Sequence, residues 1–100
     1  MNPRSLTPEK QQLVDQYSYC RLGMTPQAFY NKWQVSYEQL AAICSRSVST
    51  VRCWFSKGSS YRRPSATDLR HLAVMDFLLD YFDQFPEELK EALCDSPEEG

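Results

Sequence analysis

The sequence predicts an all-α fold, a compact bundle of five to six helices containing a helix-turn-helix. Among its 100 residues are only three glycines, and no run of strand length alternates apolar with polar residues. Instead, Ser, Thr and Pro repeatedly stand at helix-start positions ahead of apolar residues spaced three and four apart. The length and the 42% apolar content suit a single domain with one core, residues 1–100.

The first helix is predicted from about Pro8 to Leu22, after an N-terminal arm of residues 1–6. Thr7 is a suitable N-cap, and Pro8 fits the first helical position, where no backbone N–H is needed. Gly23 is expected to end the helix in a left-handed conformation. The apolar stripe of this helix consists of Leu13, Val14, Tyr17 and Cys20.

Thr25 and Pro26 repeat the same start signal for a short second helix. Its apolar side consists of Ala28, Phe29 and Trp33. Aromatic residues at helical spacing are ordinarily core residues, so we expect Phe29, Trp33 and Trp54 to pack inside the protein.

Residues 36–56 divide into two short helical segments with a tight polar turn between them. Ser36 is a good N-cap, and Gln39 three residues later completes a capping box. Ser47 supplies a second N-cap after the turn. The apolar positions are Tyr37, Leu40, Ala41 and Ile43 in the first segment and Val51, Trp54 and Phe55 in the second. This pattern predicts a helix-turn-helix, whose second helix can lie in the DNA major groove.

The net charge of −2 conceals a division of the chain into a basic and an acidic part. Residues 1–63 carry nine Lys and Arg against three Asp and Glu, a net charge of +6. Residues 64–100 carry two against ten, a net charge of −8. Because charges act mainly within a Debye length of about 10 Å, the local field matters more than the total. The acidic part should face away from any nucleic acid that the basic part binds.

Residues 57–65 form a predicted loop rich in cations and hydroxyl groups. One interpretation is a solvated connector. The other is a phosphate-binding loop, in which Arg62 and Arg63 pair with backbone oxygens while Ser59, Ser60 and Tyr61 donate hydrogen bonds. Its place directly after the second helix of the motif favours phosphate binding.

The acidic C-terminal helices span residues 66–95, and a tail follows at residues 96–100. Ser65 is a predicted N-cap with Asp68 as its reciprocal partner, opening a helix from about Ala66 to Gln84. This helix is apolar on two sides, so its second side must meet another surface. The N-terminal helix, the last helix (about Pro86 to Cys94) and a second copy of the chain are the candidates.

Several of these residues together resemble the helix-turn-helix of λ-repressor-like (Cro/CI, XRE) domains. The resemblance covers roughly Ser36 to Leu72 and rests on Ala41, Thr50, Val51 and Trp54, followed by Lys57-Gly58, two arginines and Pro64-Ser65. The chain departs from that family at two positions in the turn. Ser45 stands where the family usually has Gly, and Arg46 stands where it usually has an apolar residue that fills the core. Arg46 is therefore expected to lie over a phosphate.

The resemblance implies a sequence-specific regulator of transcription that reads double-stranded DNA with helix 47–56. The residues placed at DNA bases are Val48, Ser49, Arg52 and Cys53. The residues placed at phosphates are Arg46, Ser47, Thr50, Ser56, Lys57, Ser59, Tyr61, Arg62 and Arg63. One such helix contacts only a few base pairs, so a homodimer through the C-terminal helices is the expected assembly.

Other functional classes find little support in the sequence. The four cysteines form no C-x-x-C pair and there is one histidine, His71, so we expect no metal, no cofactor and four reduced thiols. No nucleophile motif surrounds His71, no phosphate loop is present and no small-molecule site is evident, so no enzyme is predicted. Without a signal peptide or a membrane-spanning run, a cytoplasmic location is expected.

An alternative of a different class stays open. The helix-turn-helix core can serve a protein-interaction adaptor or an accessory subunit that docks on a partner through its acidic, aromatic C-terminal helices. Salt-sensitive binding to duplex DNA separates the two, because only a protein that neutralises phosphates shows it.

Overall fold

The computed structural model describes residues 5–19 and 21–94 of the chain. Six α-helices follow one another: α1 (Pro8–Tyr19), α2 (Pro26–Trp33), α3 (Tyr37–Cys44), α4 (Val48–Phe55), α5 (Ala66–Asp80) and α6 (Glu87–Cys94). Two short 3-10 turns lie at Gly58–Ser60 and Phe82–Gln84. The described residues contain no strand, so the all-α prediction is confirmed. None of the helices in this part of the chain has the length and apolar content to cross a bilayer.

Local side-chain caps begin the helices where the sequence predicted them. The Thr25 hydroxyl accepts the Ala28 N–H ahead of α2 at 3.1 Å. Ser36 forms the predicted capping box with Gln39, its hydroxyl accepting the Gln39 N–H at 3.1 Å. Ser47 caps α4. Each cap satisfies backbone donors that the first turn of a helix leaves unpaired.

The core lies between α2, α3, α4 and α5. Its buried side chains are Phe29, Leu40, Ala41, Cys44, Val51, Trp54 and Leu72. Helix α3 packs against both α4 and α5, and α2 packs against α5. Trp33 is only half buried, because its indole Nε1 donates to Asp76 at 2.9 Å. Helix α1 contributes no buried residue.

The end of α1 differs from the prediction. The helix stops at Tyr19, before the predicted Leu22, and Gly23 does not adopt the predicted left-handed conformation. Gly23 is needed for a different reason: a Cβ built on it would approach the Leu69 Cβ to 3.1 Å. The neighbouring Met24 N–H donates to the Leu69 carbonyl at 3.0 Å, holding the segment against α5. The predictions for residues 1–4, Cys20 and the tail lie outside the described residues.

Helix α5 is also shorter than predicted. It ends at Asp80 and the chain continues through the 3-10 turn Phe82–Gln84. The following Phe85 precedes Pro86, and a residue before proline is sterically disfavoured in the helical region. Helix α6 then begins at Glu87, close to the predicted start at Pro86.

Candidate nucleic-acid interface

The turn between α3 and α4 has the tight geometry that a helix-turn-helix requires. Ser45 adopts the left-handed conformation, with φ 57° and ψ 47°. The Arg46 N–H donates back to the Ala41 carbonyl at 2.9 Å, a pattern that closes a helix end. Ser47 then caps α4, its hydroxyl accepting the Thr50 N–H at 3.1 Å. A serine therefore occupies the left-handed position of this turn, where the resemblance to λ-repressor-like domains leads one to expect glycine.

Arg46 does not stand alone over the surface. Its Nε donates to Asp68 Oδ1 at 2.8 Å and its Nη2 to Asp68 Oδ2 at 3.1 Å, a two-pronged pairing with the first turn of α5. The hydrogen bond to Asp68 raises the pKa of Arg46. The charge of Arg46, which the sequence assigned to a phosphate, is therefore offset within the protein.

Among the residues that the structure describes, Asp68 is the buried carboxylate, with 2% of its surface exposed. It also accepts the Ser65 N–H and the Ser65 hydroxyl, each at 2.9 Å, completing the predicted capping box of α5. Burial raises the pKa of Asp68, but the hydrogen bonds from Arg46 and Ser65 and the charge of Arg46 outweigh it and leave the pKa lowered. Asp68 therefore stays ionised and paired.

Helix α4 turns one flank inward and the other to solvent. Val51 and Trp54 are buried, as predicted. Among the residues predicted to contact bases, Ser49 and Arg52 are exposed, whereas Val48 and Cys53 are half buried. The Arg52 side chain is not covered by other side chains.

The loop after α4 is fastened to that helix. The Arg62 N–H donates to the Cys53 carbonyl at 3.1 Å. Between α4, the loop and the start of α5 lies an open groove of about 490 Å³, here named the arginine groove, lined by Arg46, Ser49, Thr50, Cys53, Trp54, Arg62, Arg63, Ser65 and Asp68. Asp68 is the one acid among these residues, and Arg46 already pairs with it. The groove therefore presents cations and hydroxyl groups.

Of the residues predicted at phosphates, Arg46, Thr50, Arg62 and Arg63 line this groove, and Ser47, Ser56, Lys57, Ser59 and Tyr61 do not. The hydroxyl oxygens of Ser47 and Thr50 are 3.0 Å apart, and the Ser56 hydroxyl donates to the Arg52 carbonyl at 2.9 Å. Lys57, Ser59, Tyr61, Arg62 and Arg63 are exposed.

The acids of the second half of α5 are drawn to another part of the molecule. Lys32 on α2 pairs with Asp76 at 2.8 Å and with Asp80 at 2.9 Å. The hydrogen bond from Lys32 is the main cause of the lowered pKa of Asp76. Neither carboxylate lines the arginine groove. The charge division predicted from the sequence is not complete in space, because Lys32 of the basic part pairs with Asp76 and Asp80, and Asp68 of the acidic part lines the groove.

Sequence reasoning missed two members of the groove, Ser65 and Asp68. Their capping-box spacing was recognised, but it identified only a helix start. The signal for their second role was the charged Arg46 at a position that should be apolar, because a cation there needs an anionic partner. Within the described residues no three His, Cys, Asp or Glu side chains come together as a metal site would require.

Comparison with protein-family models found no matching family, and searches of curated proteins and of solved structures found no match. The likeness to λ-repressor-like domains therefore rests on the residues of this chain alone.

Proposed function

We propose that the protein is a cytoplasmic, sequence-specific regulator of transcription that binds double-stranded DNA, with α4 in the major groove. The observation that carries the proposal is the arginine groove, which lies beside α4, shares the exposed Ser49 with the solvent-facing flank of that helix, and has a single acid that is already paired. Half or more of the hydrogen bonds in protein–DNA complexes go to phosphate and sugar, which suits a groove of arginines and hydroxyls.

Base reading is assigned to the exposed flank of α4, in line with the resemblance to λ-repressor-like domains. Arg52 is exposed and can donate two hydrogen bonds to guanine O6 and N7. Ser49 beside it can donate or accept, and Val48 can contact a thymine methyl group. Cys53 lies between this flank and the groove.

The loop and the helix caps supply the phosphate contacts. Arg62 and Arg63 line the groove, whereas Lys57, Ser59 and Tyr61 are exposed on the loop and do not line it. Ser47, Thr50 and Ser56 hold hydroxyls near both ends of α4. Arg46 positions the start of α5 and adds only a shared charge.

Binding to random-sequence duplex DNA, measured by fluorescence anisotropy over a salt series, tests the phosphate part. The logarithm of the affinity should fall linearly with the logarithm of the salt concentration. Arg62→Ala/Arg63→Ala should weaken binding to all sequences alike and reduce the slope by about 2. Lys10→Ala on α1 is the matched control, and it should leave the slope unchanged. Binding that ignores salt would contradict the proposal.

Selection of bound sequences from a random pool tests the base-reading part. Arg52→Ala should relax the preference at one base-pair position by about 1–3 kcal/mol while other positions keep theirs. Uniform weakening would assign Arg52 to the backbone instead, and no enrichment with the wild-type protein would remove the claim of specificity.

A homodimer through the C-terminal helices belongs to the same proposal. A single helix of eight residues contacts few base pairs, and useful affinity normally comes from two half-sites about 34–36 Å apart.

An adaptor that docks on a partner protein is the second candidate. The observation favouring it is the exposed aromatic pair Phe77 and Tyr81, whose rings lie 4.6 Å apart on the acidic half of the molecule. An adaptor would show no salt-dependent DNA binding and would lose its partner on Phe77→Asp, whereas Arg52→Ala would leave partner binding intact.

A further inference from the structure

The last turn of α4 is held by residues from outside that helix. A helix end leaves backbone carbonyl groups without partners inside the helix. The Cys53 carbonyl accepts the Arg62 N–H from the loop at 3.1 Å. The next carbonyl along the chain, that of Trp54, accepts a hydrogen bond from the side-chain Nε2 of Gln27 on α2 at 2.9 Å. Two successive carbonyls therefore join the end of α4 to two other parts of the domain.

The Gln27 hydrogen bond connects segments that are far apart in the sequence. It joins residues 27 positions apart, whereas the Ser56 hydroxyl donates to the Arg52 carbonyl from only four positions away. Because a carbonyl can only accept, the amide of Gln27 is oriented with its NH2 group toward α4. A donor at this end also suits the partial negative charge of a helix C-terminus.

The backbone that carries Gln27 is held by the core. Pro26 directly before it and Phe29 two residues after it are both fully buried. The Thr25 hydroxyl caps the same turn of α2. The hydrogen bond to the Trp54 carbonyl therefore ties the end of α4 to a part of α2 whose own position is fixed by packing.

Gln27 also lies beside the loop that follows α4. A cleft of about 270 Å³ separates the start of α2 from this loop, and its lining includes Gln27, Tyr61 and Arg63. The loop itself is attached to α4 through the Arg62 N–H and the Cys53 carbonyl. The start of α2, the loop and the end of α4 therefore come together next to one amide side chain.

The part of α4 that is held in this way carries the base-reading arginine of the proposed function. Arg52 is exposed and lies two residues before Trp54. Val51 and Trp54 bury the opposite flank, but apolar packing is not directional, whereas a hydrogen bond is. A side chain that recognises a ligand has to be held within about 0.5 Å and 10–20° of its working geometry.

We propose that Gln27 is a positioning residue for base reading, because its hydrogen bond to the Trp54 carbonyl sets the direction of the exposed flank of α4. The inference rests on the proposed DNA binding and adds a residue that acts through α4 and contacts no base itself. Without the bond, Arg52 approaches its base pair from a less defined direction, while the cations of the loop still reach the phosphates. Discrimination between sequences should therefore fall more than the affinity for DNA in general.

The variant Gln27→Met tests this role, because methionine has a similar length and cannot donate a hydrogen bond. Lys32→Met is the matched control. It introduces the same residue on the same helix, whereas the ion-pair partners that it loses, Asp76 and Asp80, lie on α5 and not on α4. Circular dichroism and urea denaturation confirm that each variant folds and measure its loss of stability.

Fluorescence anisotropy compares two duplexes, the sequence that the wild type enriches from a random pool and a scrambled sequence of the same composition. In Gln27→Met the ratio of specific to non-specific affinity should fall about tenfold, within the range of one base contact. The affinity for the scrambled duplex and its salt dependence should stay unchanged. Lys32→Met should keep the wild-type ratio, even where it lowers the urea midpoint as far as Gln27→Met does.

A double-variant cycle separates positioning of Arg52 from a general structural role. If Gln27 acts through Arg52, the variant Gln27→Met/Arg52→Ala should discriminate about as well as Arg52→Ala alone, because the two losses are then one and the same. Losses that add would overturn the positioning role, and so would an unchanged ratio in Gln27→Met while the wild type still enriches a sequence. Either result leaves the DNA-binding proposal standing. No enrichment by the wild type would remove the proposed function and the positioning role together.

Hydrogen exchange tests the attachment without DNA. The Arg62 N–H donates to the Cys53 carbonyl in the turn of α4 that Gln27 holds. It should exchange faster in Gln27→Met than in the wild type or in Lys32→Met, because local opening of that turn becomes easier. Equal protection in all three proteins would show that Gln27 does not hold the end of α4, whatever the protein binds.

Discussion

The middle of the molecule and its two ends follow opposite packing rules. From α2 to the middle of α5, Phe29, Leu40, Val51 and Leu72 have no exposed surface and Trp54 has 2%. In α1 and beyond Phe77, large apolar side chains remain exposed, among them Leu13, Phe77 and Phe82. Within the described residues the chain thus contains a small core between α2 and α5, and apolar side chains at both ends that lie outside it.

This contrast separates a packed region, which fixes the position of α4, from two ends that leave apolar side chains exposed. The buried half of α4 fixes its opposite flank, so the direction of Arg52 and Ser49 is determined by Val51 and Trp54. Exposed apolar patches in a monomer usually mark interaction sites. The position of α4 is therefore internal to the domain, whereas the ends are suited to association.

The largest expected effect is at Trp54. Trp54→Ala removes a buried ring and should lower the free energy of unfolding by about 3–5 kcal/mol. Phe77→Ala, at a 58% exposed position, should cost far less. Urea denaturation of both variants at a concentration where the wild type is monomeric makes the comparison. Equal losses would show that the ends are packed as tightly as the middle.

A smaller effect is expected at the ion pair that joins the turn to α5. Asp68→Ala deletes the acceptor for Arg46 and Ser65 and should cost about 2–3 kcal/mol. Arg46→Met should cost less, because the Arg46 side chain is 42% exposed and Asp68 keeps its bonds to Ser65. The urea denaturation midpoints of the two variants measure which substitution is more destabilising. A greater loss for Arg46→Met would contradict the view that Asp68 is the centre of the cluster.

Acid should weaken the protein through Asp68 in this cluster and through Asp76, which pairs with Lys32. The pKa values of Asp68 and Asp76 are lowered in the folded protein. A lowered pKa contributes stability above the unfolded value, about pH 4, and that contribution is lost as the pH falls through the folded value. Urea unfolding at about pH 6, 4 and 2.5 should therefore show a decrease confined to the acid side of pH 4.

The variant Asp68→Asn tests whether Asp68 is the source of this acid sensitivity. It should flatten the pH dependence below pH 4, whereas Glu38→Gln on the exposed start of α3 should keep the wild-type dependence. An unchanged slope in Asp68→Asn would place the acid sensitivity elsewhere, with Asp76 and its partner Lys32 as the next pair to test.

How far the sequence predicted this structure depends on the range of the interaction. The boxes Ser36–Gln39 and Ser65–Asp68 act within one turn, so spacing alone identified them. The helix-turn-helix core followed from periodicity for the same reason. The Arg46–Asp68 pair spans 22 residues and depends on how α3 meets α5. How α3 packs against α5 cannot be predicted from the local sequence pattern of either helix.

The candidate site divides in the same way. The outward flank of α4 could be assigned from Val51 and Trp54, because residues on the opposite side of the helix point to solvent, as Ser49 and Arg52 do. The presence of Ser65 and Asp68 in the arginine groove could not be predicted, because it depends on the path that the loop after α4 takes. The role of Gly23 was predicted wrongly for the same reason. A glycine that ends a helix and a glycine that allows a close approach to Leu69 cannot be told apart from the sequence.

The smallest expected effect concerns the turn within the rigid middle. Ser45 has φ 57°, a conformation that costs a residue with a Cβ about 1 kcal/mol and costs glycine nothing. Ser45→Gly should therefore raise the free energy of unfolding, by roughly 0.5 kcal/mol after the greater chain entropy of unfolded glycine is subtracted. Gln34, with φ 54° after α2, is the matched position, and Gln34→Gly should act alike. Ala42→Gly in α3 should be destabilising by about 1 kcal/mol, because that residue is helical. If Ser45→Gly also destabilises, the serine side chain holds the turn in a way that its backbone geometry does not reveal.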